Sequence, residues 1–345
     1  MIILLYNCEI ENLEDWEKTL LRYKQNYISV STESNWEYGL KKENPDLIIA
    51  RPHGSLESKV KKFKEVVYKV SERFNIPVYP DLKSLAVYEN KIELATQLKS
   101  HNIPHPQTFW YNDFSNAESA ISNLSFPLVA KSNSGAAGSG VILLKNLTEG
   151  KNLLRRVFKE DGFPKRVGPN IKQGGLLKRF FNVATKPGKA IEKLNYYTRS
   201  FKEKQKGLIL FQEFISHEFE WRVVRIGNSF FAHKKMLKNG MASGSKEKGY
   251  DNPPLSVLNF VREVSDVLNI KSAAYDLFEI ENEKFLVNEI QTYFGQSDPY
   301  QMLIDGKPAR YYLNGNNWEV HFGDYASNKC YDLRFNDALS LIASK

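Results

Sequence analysis

Two carboxylates in one short segment are the first residues here that could do chemistry. Asp276 and Glu289 flank Asn282-Glu283, a turn pair set between stretches of alternating apolar and polar residues. A hairpin turning there sets Asp276 directly opposite Glu289, and alternation puts Gln291 on the same face. Like charges facing each other destabilise a strand pair, so a cation is the natural resolution. Two carboxylates and an amide oxygen are an all-oxygen set suited to Mg²⁺ that also holds substrate phosphates. A turn of odd length would instead send the acids apart into solvent.

The segment from Glu220 to Lys235 folds back in the same way on Gly227-Asn228. Glu220 then faces Lys235 and Arg222 faces His233, while Lys234 points to the other side. Arg222 and Lys235 on one face beside an acid form a clamp for transferring phosphoryl oxygens. The plainer reading is a surface sheet with a cross-strand ion pair of small worth. A third candidate is Lys131-Ser-Asn-Ser-Gly135-Ala-Ala-Gly138-Ser-Gly140-Val-Ile-Leu. No Gly-Lys-Ser/Thr follows, so it is not a Walker A loop, and the residues after Gly140 favour a strand over a helix. A strand–glycine loop–strand can fold over phosphates with its free N–H groups and a lysine at its base. It can equally be the loop of an ordinary hairpin. His53, His101, His105, His217 and His321 show no ligand spacing.

The elements needed to position these groups are legible as patterns. Ile2 to Tyr6, Leu47 to Ala50 and Ile76 to Tyr79 read as strands that alternate with helices at Leu13 to Tyr23 and Leu56 to Phe74. That alternation implies a small parallel α/β domain, here bounded at 1–88. A helix at Glu89 to His101 follows, stiffened at its exit by Pro104 and Pro106. Strands at Leu128 to Lys131 and Val141 to Leu144, and a helix at Leu147 to Lys159, belong to a second region, 89–211. The third region, 212–345, is mostly antiparallel: a strand from Leu208 to Ile215 leads into the two hairpins, with a helix at Leu255 to Leu268. The stretch from Gln301 onward receives no element.

Composition limits the rest. The chain has 345 residues, 42% hydrophobic and 13% aromatic, which excludes disordered and fibrous classes. Cys8 and Cys330 make neither a disulfide framework nor a zinc site, and point to a reducing compartment. With no basic n-region and no long apolar run, a soluble cytoplasmic protein without a membrane span is expected. The net charge is +8, but residues 163–207 hold twelve basic and two acidic residues, so all of the excess is concentrated there. Such a stretch suits a polyanionic partner. Charge alone would allow nucleic acid, but no binding module supports it.

The order of these pieces, from Glu89 to Gln291, resembles the ATP-grasp superfamily, nearest its RimK-like and glutathione-synthetase-like branch. The resemblance implies an α/β (α+β) fold in which two antiparallel lobes sandwich ATP after a parallel N-terminal domain. It gives Lys91 and Lys131 to the nucleotide phosphates and Gly135, Gly138 and Gly140 to the flap. It gives Gln212-Glu213-Phe214-Ile215 to the adenine hinge, Glu220 to the ribose, and Arg222 and Lys235 to the transferring phosphoryl group. Asp276, Glu289 and Gln291 become the metal ligands for two Mg²⁺, with Mn²⁺ as the alternative. Glu220 stands where Asp is usual, Gln291 where Asn is, and a lysine where the hairpin's second cation is usually Arg. The implied activity is a carboxylate–amine ligase working through an acyl phosphate, or else a small-molecule kinase, or a catalytically idle nucleotide-binding protein. Substrates would be a small carboxylate and an amine. The basic insertion at 163–207 points to an acidic sugar, a sugar nucleotide or a surface-polysaccharide precursor. A homodimer is compatible with the sequence.

Overall fold

The computed structural model describes residues 1–7, 13–52, 56–135, 139–164, 198, 203–238, 241–242, 247–281 and 283–343. The N-terminal part alternates β1 (Ile2–Tyr6), α1 (Glu14–Arg22), β2 (Tyr27–Ser31), α2 (Trp36–Glu43), β3 (Leu47–Arg51), α3 (Glu57–Phe74), β4 (Val78–Tyr79) and α4 (Leu82–Val87). Its four strands form a parallel sheet in the order β2-β1-β3-β4. Ile3, Leu5, Ile48 and Ala50 face α3 through Phe63, Val67 and Val70, while Ile2, Leu4, Leu47 and Ile49 bury against the other face. A run of apolar residues covered on both faces is what a parallel strand requires.

Helix α5 (Lys91–Ser100) leads into β5 (Thr108–Tyr111), α6 (Phe114–Ile121), β6 (Leu128–Lys131), β7 (Val141–Leu144), α7 (Leu147–Lys159) and β8 (Ile209–Glu213). The strands make an antiparallel sheet in the order β5-β8-β6-β7. Helices α6 and α7 cover it through Ala117, Ile121, Leu154 and Val157. Most of the basic stretch 163–207 lies outside the described residues, as do Cys8, His53, Gly138 and Asn282.

The last part contains β9 (Phe219–Ile226), β10 (Ser229–Lys238), β11 (Met241–Ala242), β12 (Lys248–Gly249), α8 (Leu255–Leu268), β13 (Ser272–Glu281), β14 (Lys284–Gln291), β15 (Leu303–Ile304), β16 (Lys307–Asn314), β17 (Asn317–Phe322) and α9 (Tyr331–Ala343). All the strands join one nine-stranded sheet with the core order β14-β13-β9-β10-β16-β15. Helix α8 buries Val257, Leu258, Val261 and Val264 against Val223, Ala273 and Tyr275 on one side of it. The other side carries the polar residues described below together with a second apolar cluster that includes Val224, Ile226, Phe231, Ala274 and Met302. Helix α9 turns back to the first sheet, where Tyr331, Phe335 and Ala338 pack with Ile2, Leu4 and Ile49. The fold is therefore α/β with one parallel and two antiparallel sheets. Among the described residues no helix is long and apolar enough to cross a membrane.

Candidate active site

The first hairpin keeps the register its turn dictates, and the second returns to it after two irregularities that cancel. Ile226 pairs with Ser229 across the Gly227-Asn228 turn, so Glu220 meets Lys235 and Arg222 meets His233. Glu281 pairs with Lys284, and farther along Asp276 meets Glu289. Asp276 also pairs with Arg222 on β9. Glu289, Asp276, Arg222 and His233 thus form one row across four adjacent strands. Lys234, on the opposite face, lies over the rings of Phe219 and Trp221 and bonds Asp251.

Of the two facing acids, Asp276 is met by cations of the chain itself. Arg222 grips Asp276 through two parallel bonds of 2.8 Å, and Lys235 adds a third at 2.9 Å. Lys235 also bonds Glu220 at 2.6 Å. Burial would push the Asp276 carboxyl up, but Arg222 and Lys235 outweigh it and hold the group well below the usual carboxylate range. Lys235 is moved the other way: burial opposes its charge, and attraction from Asp276 and Glu220 overrides that and raises it. Gln291 accepts from Arg222 at 3.1 Å and donates to Glu289 at 3.1 Å.

A β-bulge adds a residue the sequence patterns did not single out. After Asp276–Glu289 the pairing jumps to Leu277–Val287, leaving Asn288 without a partner across the ladder. Asn288 consequently points into the same site as its neighbour Glu289. Its amide donates to Glu220 at 3.2 Å and its oxygen accepts from Lys131 at 3.0 Å. Lys131 comes from β6 of the other antiparallel sheet. It is buried, and desolvation lowers it to about 8 despite attraction from Glu289 and Glu220. Period-two alternation carries no signal for a bulge, so nothing in the sequence marks Asn288.

The glycine loop is anchored at its base from two directions. Asn90 caps α5, which makes Lys91 the first helical residue, and Lys91 donates to the Gly135 carbonyl at 3.0 Å. The Gly135 N–H donates to the Glu89 carboxylate. Gly135 has φ +131°, a conformation that L side chains rarely adopt. At Gly140 a Cβ would lie 1.9 Å from the Ser132 hydroxyl, which itself bonds the Ser134 carbonyl. In the segment expected at the adenine, Gln212 on β8 bonds Thr108 at 3.1 Å, and the Glu213 carboxylate accepts from the Gln107 N–H at 3.2 Å. Phe214 and Ile215 follow the strand, and the Ile215 carbonyl bonds His217. Glu220, expected at a ribose, has its two oxygens engaged by Lys235 and Asn288.

Comparison with solved structures identifies the fold. The D-alanine–D-alanine ligase of Bacillus anthracis superposes with a TM-score of 0.56 at 13% identity, covering 100% of this chain and 99% of its own. A RimK-domain ATP-grasp protein of Sphaerobacter thermophilus matches with a TM-score of 0.52 at 13% identity, over 84% of this chain and 91% of its own. The chain has the ATP-grasp fold. The ATP-bound carboxyaminoimidazole ribonucleotide synthase of Aspergillus clavatus shares the ATP-grasp architecture, with a TM-score of 0.52, 9% identity and coverage of 88% and 71%. No protein-family model matches the sequence, and no curated protein sequence does either.

The donor set on the ATP-grasp face can be tested against the metal the fold implies. Among the described residues no three His, Cys, Asp or Glu side chains gather to hold an ion by themselves. Glu289 is half-exposed, and among the described residues its carboxylate is bonded only by Gln291. Its second oxygen and the Gln291 amide oxygen suit Mg²⁺, which takes few protein oxygens and completes its shell from phosphates and water, while Asp276 beside them has both oxygens bonded by Arg222 and Lys235. The row of site residues ends in His233, one of whose nitrogens is unsatisfied. His233 is 1% exposed and bonds the Gln301 carbonyl through Nδ1 at 2.9 Å, while Nε2 has no partner. Leaving a buried acceptor unpaired costs about 1–3 kcal/mol.

Proposed function

We propose that this protein is an ATP- and Mg²⁺-dependent ligase that joins a carboxylate to an amine through an acyl phosphate. The observation that carries this reading is the Lys131–Asn288 bond. It brings a buried lysine of one antiparallel sheet onto the Arg222–Asp276–Lys235 cluster of the other, so that three cations converge between the sheets. That is an arrangement for a polyphosphate, and it contains no activated nucleophile. Support also comes from the solved neighbours, one of which is by name a ligase of two amino acids and another a RimK-domain protein.

In this reading Lys91 and Lys131 neutralise the nucleotide phosphates, and the Gly135–Gly140 loop offers backbone N–H groups to the γ-phosphoryl. Gln212 to Ile215 line the adenine, and Glu220 lies toward the ribose while holding Lys235 in place. Asp276, Glu289 and Gln291 hold magnesium, which supplies Lewis-acid stabilisation of phosphate charge when bound. Arg222 and Lys235 face the oxygens that gain charge as the phosphoryl group moves to the carboxylate. Positioning and electrostatics supply the acceleration. We assign the carboxylate to an acidic small molecule such as a sugar acid, a choice supported by the positive charge concentrated at 163–207.

The test is ADP release over a panel of carboxylates, amines and sugar nucleotides, with the γ-phosphate tracked. Free phosphate appearing with ADP, and hydroxamate when hydroxylamine replaces the amine, is the result expected. Phosphate retained on a product would make the protein a kinase. Tight ATP binding without turnover across the panel would make it a binding protein.

A further inference from the structure

We propose that His233, with Lys248, Tyr250 and Asp298 beside it, forms the seat of the attacking amine. This inference rests on the ligase reading and assigns the half of the site that the nucleotide residues leave open. His233 stands next to Arg222 in the row that also contains Asp276 and Glu289. The Gln301 carbonyl can only accept, so His233 Nδ1 carries the hydrogen of that bond. Burial pushes the imidazole down to about 3, helped by Lys248 and Arg222, so the ring is neutral near pH 7. With its single hydrogen on Nδ1, Nε2 presents a bare lone pair. That nitrogen is buried on the catalytic face and unpartnered.

A bare lone pair selects its ligand. Carboxylate and phosphate oxygens repel it, and an N–H donor satisfies it. The surrounding groups agree with an amine. Lys248 pairs in register with Lys235, which places this cluster one strand beyond the cation we assign to the phosphoryl group. Lys248 is itself neutralised, being bonded to Asp298 and to Ser297. Tyr250 donates to Asp298 at 2.7 Å and sets its ring 5.5 Å from that of His233. Asp298 is 38% exposed and offers a carboxylate to an arriving ammonium ion. The amine thus approaches between a negative charge and a neutral acceptor, beside Arg222.

The experiment uses the full chain labelled with ¹⁵N-histidine, with the His233 signals assigned by their loss in His233→Gln. The protein has six histidines, so the spectrum is small. Nε2 is expected to resonate as an unprotonated nitrogen from pH 5 to 8, and to move on addition of methylamine, glycine or glutamate but not of acetate. If none of the three amines moves it, or acetate moves it as far, the proposal is overturned. Kinetics adds a second readout: His233→Phe should raise KM for the amine about tenfold, the loss expected for one buried hydrogen bond, and leave KM for the carboxylate in place. Equal rises in both constants would also overturn it. Failure of every carboxylate to release ADP would instead count against the ligase reading, and the nitrogen shift would still decide whether amines bind here.

Discussion

Lys131 and Asn288 are 3.0 Å apart, and the bond between them joins two different sheets. Through Asn288 and Glu220 it continues to Lys235 and Asp276, so charges from both sheets form one buried network. Each member is balanced by the next. The consequence of breaking a link therefore depends on what is left unpaired.

Asn288→Ala removes the joint. Lys131 loses its side-chain acceptor and Glu220 loses a donor, while the ladder around the bulge keeps its backbone bonds. ATP binding measured by titration calorimetry should weaken about tenfold, the loss of one hydrogen bond to a charged group. Unchanged ATP affinity would remove Asn288 from the site.

The two facing acids should behave differently when truncated. Asp276→Ala leaves Arg222 and Lys235 buried without their shared partner, a loss of about 3–5 kcal/mol in urea unfolding. Glu289→Ala strips one direct bond, from Gln291, and a through-space attraction on Lys131 and Arg222, so stability should change far less than in Asp276→Ala while ADP release is abolished with every acceptor. Retained turnover in Glu289→Ala would refute its assignment to the metal.

Much of this site was legible because both hairpins turn on two residues. A two-residue turn fixes the register, and alternation then fixes the face, which is why Glu220–Lys235 and Arg222–His233 meet as their spacing implies, whereas Asp276–Glu289 meet because two irregularities nearer the turn cancel. The bulge at Asn288 was not legible, since one unpaired residue leaves the apolar pattern on either side intact. Nor was the pairing of β9 with β13, which sets Arg222 beside Asp276, because no local signal ties strands so far apart in sequence. The β16–β17 hairpin did carry a signal in Gly315-Asn316, where Asn314 pairs with Asn317, but it joins the sheet through distant β10. Helix α9 closes the first sheet, a placement that depends on tertiary packing.

Gly140→Ala should disable the flap without unfolding the protein. Its Cβ would meet the Ser132 hydroxyl at 1.9 Å and the Ser132 Cβ at 3.1 Å. Ser132 cannot withdraw without giving up its bond to the Ser134 carbonyl, so the loop must shift. ATP affinity should fall, and Ser132→Gly in the same chain should restore most of it by removing both clashing atoms. A double variant as impaired as the single one would place the cause elsewhere.

Asp337 on α9 gives the protein a pH-dependent stability. Burial pushes its carboxyl up to about 6, against the lowering effects of a Tyr79 hydrogen bond and the Arg225 charge. It also sits at the turn between β9 and β10, where a Cβ on Gly227 would approach its Oδ1 within 2.8 Å. Because the folded value lies above the unfolded one, the folded state holds the proton more tightly. Its contribution is fully present below the unfolded-state value of 3.8 and is lost as pH rises through about 6. Above that, the ionised carboxylate destabilises the fold by an amount on the order of 3 kcal/mol. Asp337→Asn removes the ionisation and keeps the shape. Its melting temperature should exceed that of the unsubstituted protein at pH 7.5, and the gap should close as pH falls toward 4. A gap that stays constant with pH, or widens toward acid, would show that Asp337 is not the group responsible.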